Sequence, residues 1–134
     1  MRSDQRALPY GEIEANQCSL LWLMQPRDVR KLVEDAIGDD WAVTNHHHVD
    51  LRRALVQPRK ITVIERNVRN GKLRDRTLAV WLVLVERPSP EEGYRIVMKE
   101  KEPVFGLASE GFPEDAHLVL CGWYGDFMTT FRGM

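Results

Sequence analysis

The chain has 134 residues, 43% of them hydrophobic and 29% charged, with a formal net charge of −1. That length suffices for one domain spanning 1–134, with a core that needs neither disulfides nor metal to hold it. No apolar run reaches the roughly 18 residues of a membrane span, and Cys18 and Cys121, outside any CxxC spacing, exclude a disulfide framework. The opening Met1-Arg2-Ser3-Asp4-Gln5-Arg6 leads into polar sequence without the apolar stretch of a signal peptide, so a reducing, cytoplasmic setting is expected.

In chain order, residues 1–16 are polar and without periodicity, and read as a loosely ordered lead-in. Cys18 to Met24 is a short apolar run that periodicity assigns equally to a strand or a helix. Pro26 then suits a first helical position. Val29, Leu32, Val33, Ala36 and Ile37 follow at helical spacing, with Gly38 placed to end the turn. A second, shorter helix is expected over His47 to Gln57, capped by Thr44 or Asn45 and stopped by Pro58. All seven prolines fall between periodic segments on this reading.

After Pro58 the period becomes strand-like. Asn70-Gly71 is the preferred pair for a type I′ turn, because both residues need positive φ. A two-residue loop sets the register of a hairpin running from Lys60 to Glu86. Arg69 must face Lys72, Arg66 must face Asp75, Glu65 must face Arg76, and Ile61 must face Val80. Two opposite-charge pairs follow from a register chosen without reference to charge, each favouring the pairing by roughly 0.2–1 kcal/mol. The second strand is apolar on both faces, with Leu78, Val80, Leu82 and Leu84 on one and Ala79, Trp81, Val83 and Val85 on the other. Such a strand needs cover on both sides. Further strands are expected over Tyr94 to Glu100, Val104 to Ala108 and His117 to Cys121, and a last short helix over Phe127 to Phe131 after Asp126.

Helices followed by sequential antiparallel strands point to an α+β fold: N-terminal helices on one face of an open antiparallel meander of four to five strands, with a short C-terminal helix. The alternative is a cone-shaped roll that curls around the helices and leaves a pocket at its mouth. Counting faces, only the segment around Leu20 to Met24 is left to cover the Trp81 side. If it folds over that face the chain can be a monomer. If it joins the helical layer a two-fold homodimer, the expected outcome, is the common way to bury the patch.

Charge is uneven. From Arg52 to Arg76 there are nine Lys or Arg against two acids, and from Glu86 to Asp126 nine acids against four bases. The hairpin end is therefore basic, with Arg69, Lys72, Arg74 and Arg76 at its tip. The basic stretch lacks the aromatic residues that single-strand binders stack on bases, which argues against nucleic acid. A solvated arm whose charges discourage edge pairing explains it as well.

His46, His48 and Asp50 would share one face of an extended segment and offer a two-histidine, one-carboxylate metal set. The following residues look helical, which separates them, so no metal or other cofactor is expected. His117 and Cys121 would share a strand face but stand roughly 13 Å apart, too far for a base and its nucleophile. Cys121, following Leu118-Val119-Leu120, reads as a buried small hydrophobe. Gly122-Trp123-Tyr124-Gly125 reads as a sharp turn whose aromatics close the core, or line a ligand pocket with Trp41 or Trp81, near His117. No nucleophile elbow, HExxH or phosphate loop is present. These readings favour a non-catalytic binding module that engages a protein partner or itself. A pocketed roll that binds or converts a small molecule ranks second, and nucleic-acid binding third.

Overall fold

The computed structural model describes residues 24–134, so the expected lead-in at 1–16 and all of the undecided apolar run except Met24 lie outside the described residues. The elements are α1 (Pro26–Ile37), α2 (Leu51–Ala54), β1 (Leu55–Arg69), β2 (Lys72–Pro88), β3 (Glu91–Lys99), β4 (Phe105–Ser109), β5 (Leu118–Gly125) and α3 (Phe127–Arg132). Among the described residues no helix is long and apolar enough to cross a membrane.

The expected open meander is overturned. Each strand pairs antiparallel with the next, but β1 also pairs with β5, and the sheet closes into a five-stranded barrel. Parity dictates the seam. In an up-and-down meander of five strands the first and last run the same way, so the closing pair has to be parallel. Val63 pairs with Leu118 and Ile64 with Val119. A roll wrapped around helices is not what forms either. The barrel is filled by its own strands, and the helices pack on its outside.

Two apolar clusters record this division. Val63, Val80, Leu82, Val85, Val97 and Ala108 are fully buried inside, with Leu118, Leu120 and Trp123 of β5 against them. Trp81, Val83, Leu84, Ile96, Met98, Phe105 and Leu107 face outward and are covered by α1, α2 and α3. The face assignment along β2 changes phase at a bulge. Leu82 pairs with Val97 and Leu84 with Ile96, so two residues of β2 span one of β3. Leu84 therefore joins the outer face and Val85 the inner one, the reverse of strict alternation. Gly106 of β4 leaves no room for a side chain, since a Cβ there would come within 2.4 Å of the Gly122 carbonyl oxygen and 2.7 Å of the Trp123 ring.

The hairpin follows its expected register, with Arg69 opposite Lys72, Arg66 opposite Asp75, Glu65 opposite Arg76 and Ile61 opposite Val80. Asn70 and Gly71 both have positive φ, at 51° and 73°. Helix α1 also stands where expected, its first turn tied by the Gln25 N–H donating to Asp28 at 2.8 Å. It buries Val29, Val33 and Ile37, while Ala36 at the edge of the stripe is exposed.

The second helix is shorter than expected. Asp50 caps it, accepting from the Arg52 N–H at 3.0 Å, and β1 begins at Leu55, so Pro58 lies within a strand, at a register shift between Leu55 and Arg59. In α3, Phe127 meets Phe105 edge-on at 5.5 Å and stacks with Phe131 at 6.4 Å, each aromatic pair contributing about 0.5–1.5 kcal/mol beyond burial. Trp81 is only 4% exposed, packed with these helices and donating through Nε1 to the Glu100 carbonyl at 3.3 Å. Its face is covered within one chain, which removes the reason for expecting a second copy over it.

Candidate functional site

Barrel pairing ends part-way along the hairpin. On β1 the last pair with β5 is at Ile64, and on β2 the first pair with β3 is at Val80. Beyond those points residues 65–69 and 72–79 continue as a two-stranded arm whose outer edges have no strand partner among the described residues. Alternation sorts its side chains. Asn67, Arg69, Lys72 and Arg74 continue the face that lower down points into the barrel, while Val68 and Leu73 sit opposite each other on the other face, 68% and 61% exposed. Of the predicted basic residues, Arg69, Lys72 and Arg74 are exposed and make no ion pair among the described residues, whereas Arg76 is paired with Glu65.

The root of the arm is clasped by Arg66. Its guanidinium donates to Asp75 at 2.8 and 2.9 Å and to Asp115 at 2.8 and 3.3 Å, and lies 5.5 Å from the Phe112 ring. The hydrogen bond from Arg66 holds the Asp115 carboxyl below the usual carboxylate range, helped by the Phe112 N–H at 2.7 Å. The same arginine lowers Asp75. Sequence reading found the Asp75 half of this clasp. Asp115 comes from the β4–β5 loop and only closure of the barrel brings it near.

A cavity of about 530 Å³ runs along the arm, lined by Asn67, Arg69 and Arg74, and a second of about 290 Å³ opens at the barrel mouth, lined by Leu78, Val80, Lys99 and Trp123. Glu65 and Arg76, which pair with each other, line both. Trp123 packs inside the barrel with the Lys99 ammonium 5.2 Å from its ring. The other predicted pocket residues are elsewhere. Tyr124 is exposed, His117 lines a separate cavity of about 580 Å³ beside the buried Arg95, and Trp41 lies in the helical layer under Arg52 at 4.9 Å. The expected turn at 122–124 is strand, because β5 must continue along β4 as far as the Gly125–Phe105 pair. Cys121 is exposed rather than buried, its Sγ 3.5 Å from the Ser109 hydroxyl.

The histidine run resolves differently from its spacing. Asp50 is committed to capping α2, and no three His, Cys, Asp or Glu among the described residues come close enough to share a metal ion. His46 and His48 do not form a set with it. The residue that finds a partner is His47, whose Nδ1 lies 3.0 Å from Glu86 Oε2 and whose ring packs 5.6 Å from Tyr94. Both line a cavity of about 420 Å³ with Arg53, Arg87 and Ser89. Nothing in the sequence marks this pair, because the two residues are 39 positions apart and joined only through the fold.

No protein-family model matches the chain, and no curated protein and no solved structure matches it either.

Proposed function

We propose that the chain is a non-catalytic binding module whose β1–β2 arm engages a protein partner by adding an acidic, extended segment to its free edge. The observation that carries this is the arm itself: two strands continuing past the end of a closed barrel, whose edges no strand pairs among the described residues, with three cations that make no ion pair among those residues on one face and an exposed apolar pair on the other. An unpaired edge offers backbone groups to an added strand, and side chains on alternate faces then select the sequence. A strand laid along 72–79 would set its residues opposite Lys72 and Arg74 on one face and opposite Leu73 on the other. The segment that suits it alternates acidic and apolar residues. The charges that keep such an edge from pairing with its own kind become attractive toward that sequence. Val68 and Leu73 favour protein over nucleic acid, since phosphate binding has no use for an exposed apolar pair. A cytoplasmic setting goes with this reading, supported by the exposed free thiol of Cys121.

The test uses a displayed library of extended peptides panned on the wild-type chain and on Arg69→Glu/Lys72→Glu/Arg74→Glu, with a labelled single-stranded oligonucleotide titrated in parallel. Enrichment of alternating acidic–apolar peptides by the wild type alone supports the proposal. Salt-dependent oligonucleotide binding without peptide enrichment transfers the arm to nucleic acid. Binding of neither overturns both.

A further inference from the structure

We infer that the cavity between α2 and the β2–β3 turn is a site for a small oxyanion of the phosphate or carboxylate kind, held by Arg53 and by a protonated His47. Three observations converge on it. The first is that His47 is immobilised with one nitrogen spoken for. Nδ1 is 3.0 Å from Glu86 Oε2, and the ring lies against Tyr94 at 5.6 Å and 33°. Glu86 is fixed in turn, its Oε1 accepting the Tyr94 N–H at 3.0 Å. It lies across Gly93, whose φ is 86° and where a Cβ would fall 2.6 Å from that oxygen. With Nδ1 donating to Glu86, the other ring nitrogen is left without a partner among the described residues.

The second observation is an uncommitted cation. Arg53 lines the cavity and makes no ion pair among the described residues, while Arg87 is turned toward Glu92 at 2.9 Å and Glu86 at 3.4 Å. The third is the balance of charge around the ring. Two guanidiniums, Arg53 and Arg87, face two carboxylates, Asp50 and Glu86, and both acids are already satisfied, Asp50 by the Arg52 N–H and Glu86 by Tyr94 and His47. Glu92 offsets Arg87 from outside the lining, and His47 and His48 are the lining groups that gain positive charge on protonation, which moves the cavity toward holding an anion. A neutral ring presents a lone pair at Nε2, which repels an oxyanion. A protonated ring presents an N–H and forms a charge-assisted hydrogen bond. Protonation of the ring is what turns it toward an oxyanion, so the site should hold anions more tightly in acid.

The test is an NMR titration of the full chain with inorganic phosphate and, separately, acetate, following the His47 ring resonances at a pH below and a pH above the ordinary histidine range. The proposal expects a saturable His47 shift at the lower pH, affinity about tenfold weaker or more at the higher one, and loss of the titration in Arg53→Ala with the barrel amide spectrum unchanged. Arg53→Lys should retain it. Response to phosphate alone or acetate alone names the ion class. No saturable shift with either ion overturns the site. A titration identical in Arg53→Ala removes Arg53 as its anchor and overturns it as well, and an affinity independent of pH removes His47. Should Arg53→Ala disturb the amide spectrum, Arg53→Gln repeats the comparison with the side chain's length and polarity kept.

Discussion

Leu82 and Leu73 sit on the same strand in opposite circumstances. Leu82 is fully buried inside the barrel, packed with residues of neighbouring strands, while Leu73 is 61% exposed on the arm. The same local rules, alternation and a tight turn, built both halves of the hairpin. They differ in what holds them. In the barrel half, β2 is paired on both edges and covered on both faces. Among the described residues the arm has only cross-strand pairs and the Arg66 clasp, and a two-stranded hairpin by itself is marginal in water. Burial identifies the first half as scaffold, and its absence is what supports the role proposed for the second.

Substitution should reproduce that contrast. Leu82→Ala is expected to cost about 2–5 kcal/mol, because it opens a cavity where the surrounding strands cannot collapse. Denaturant melts measure it, and a loss near that of Leu73→Ala would deny that the barrel interior is close-packed. At the turn, Gly71→Val should cost about 1–2 kcal/mol or more, since an L residue resists its positive φ and a β-branched one resists it further. Space is not the issue there, as nothing lies within 4 Å of the added Cβ. Lys72→Val is the control, and equal melting temperatures for the two variants would remove the type I′ turn.

Asp115 sharpens the comparison at the junction of the two halves. Its folded carboxyl titrates below the usual range because Arg66 and the Phe112 N–H hydrogen-bond the charged form. A depressed folded value means the stabilisation is complete above the ordinary carboxylate range and is lost as pH falls below it. The melting-temperature gap between wild type and Asp115→Asn should therefore narrow in acid, and a gap constant with pH would show that the clasp does not depend on charge. Smallest in stability is Leu73→Ala, expected within about 0.5 kcal/mol of wild type as a surface change. It should nonetheless weaken binding of an acidic, extended peptide. Unchanged peptide binding would take the apolar pair out of the proposed interface.

How much was legible depended on sequence distance. The hairpin register, both of its charge pairs and the Asp126 cap of α3, which accepts the Thr129 N–H at 2.7 Å, involve residues close along the chain or linked by one tight turn. The Leu82/Leu84 bulge was invisible because alternation carries no mark of an extra residue, and it moved Val85 from one face to the other. Cys121 was misplaced for a related reason. An apolar run names a strand, but which of its faces is covered depends on what packs there.

The site residues divide in the same way. A basic tip at Arg69, Lys72 and Arg74 needs only the turn to be predicted, whereas the His47–Glu86 pair and the Asp115 end of the clasp require elements far apart in the chain to be brought together. By itself the sequence determined the helix α1, the turn, the order of the strands and the uneven charge, because each rests on periodicity, φ preference or composition within a few residues. Only the tertiary structure decided that the sheet closes. Closure depends on twist and bulges accumulated over five strands until the β1 edge meets the β5 edge in parallel, and neither edge shows in its own residues which partner it will find.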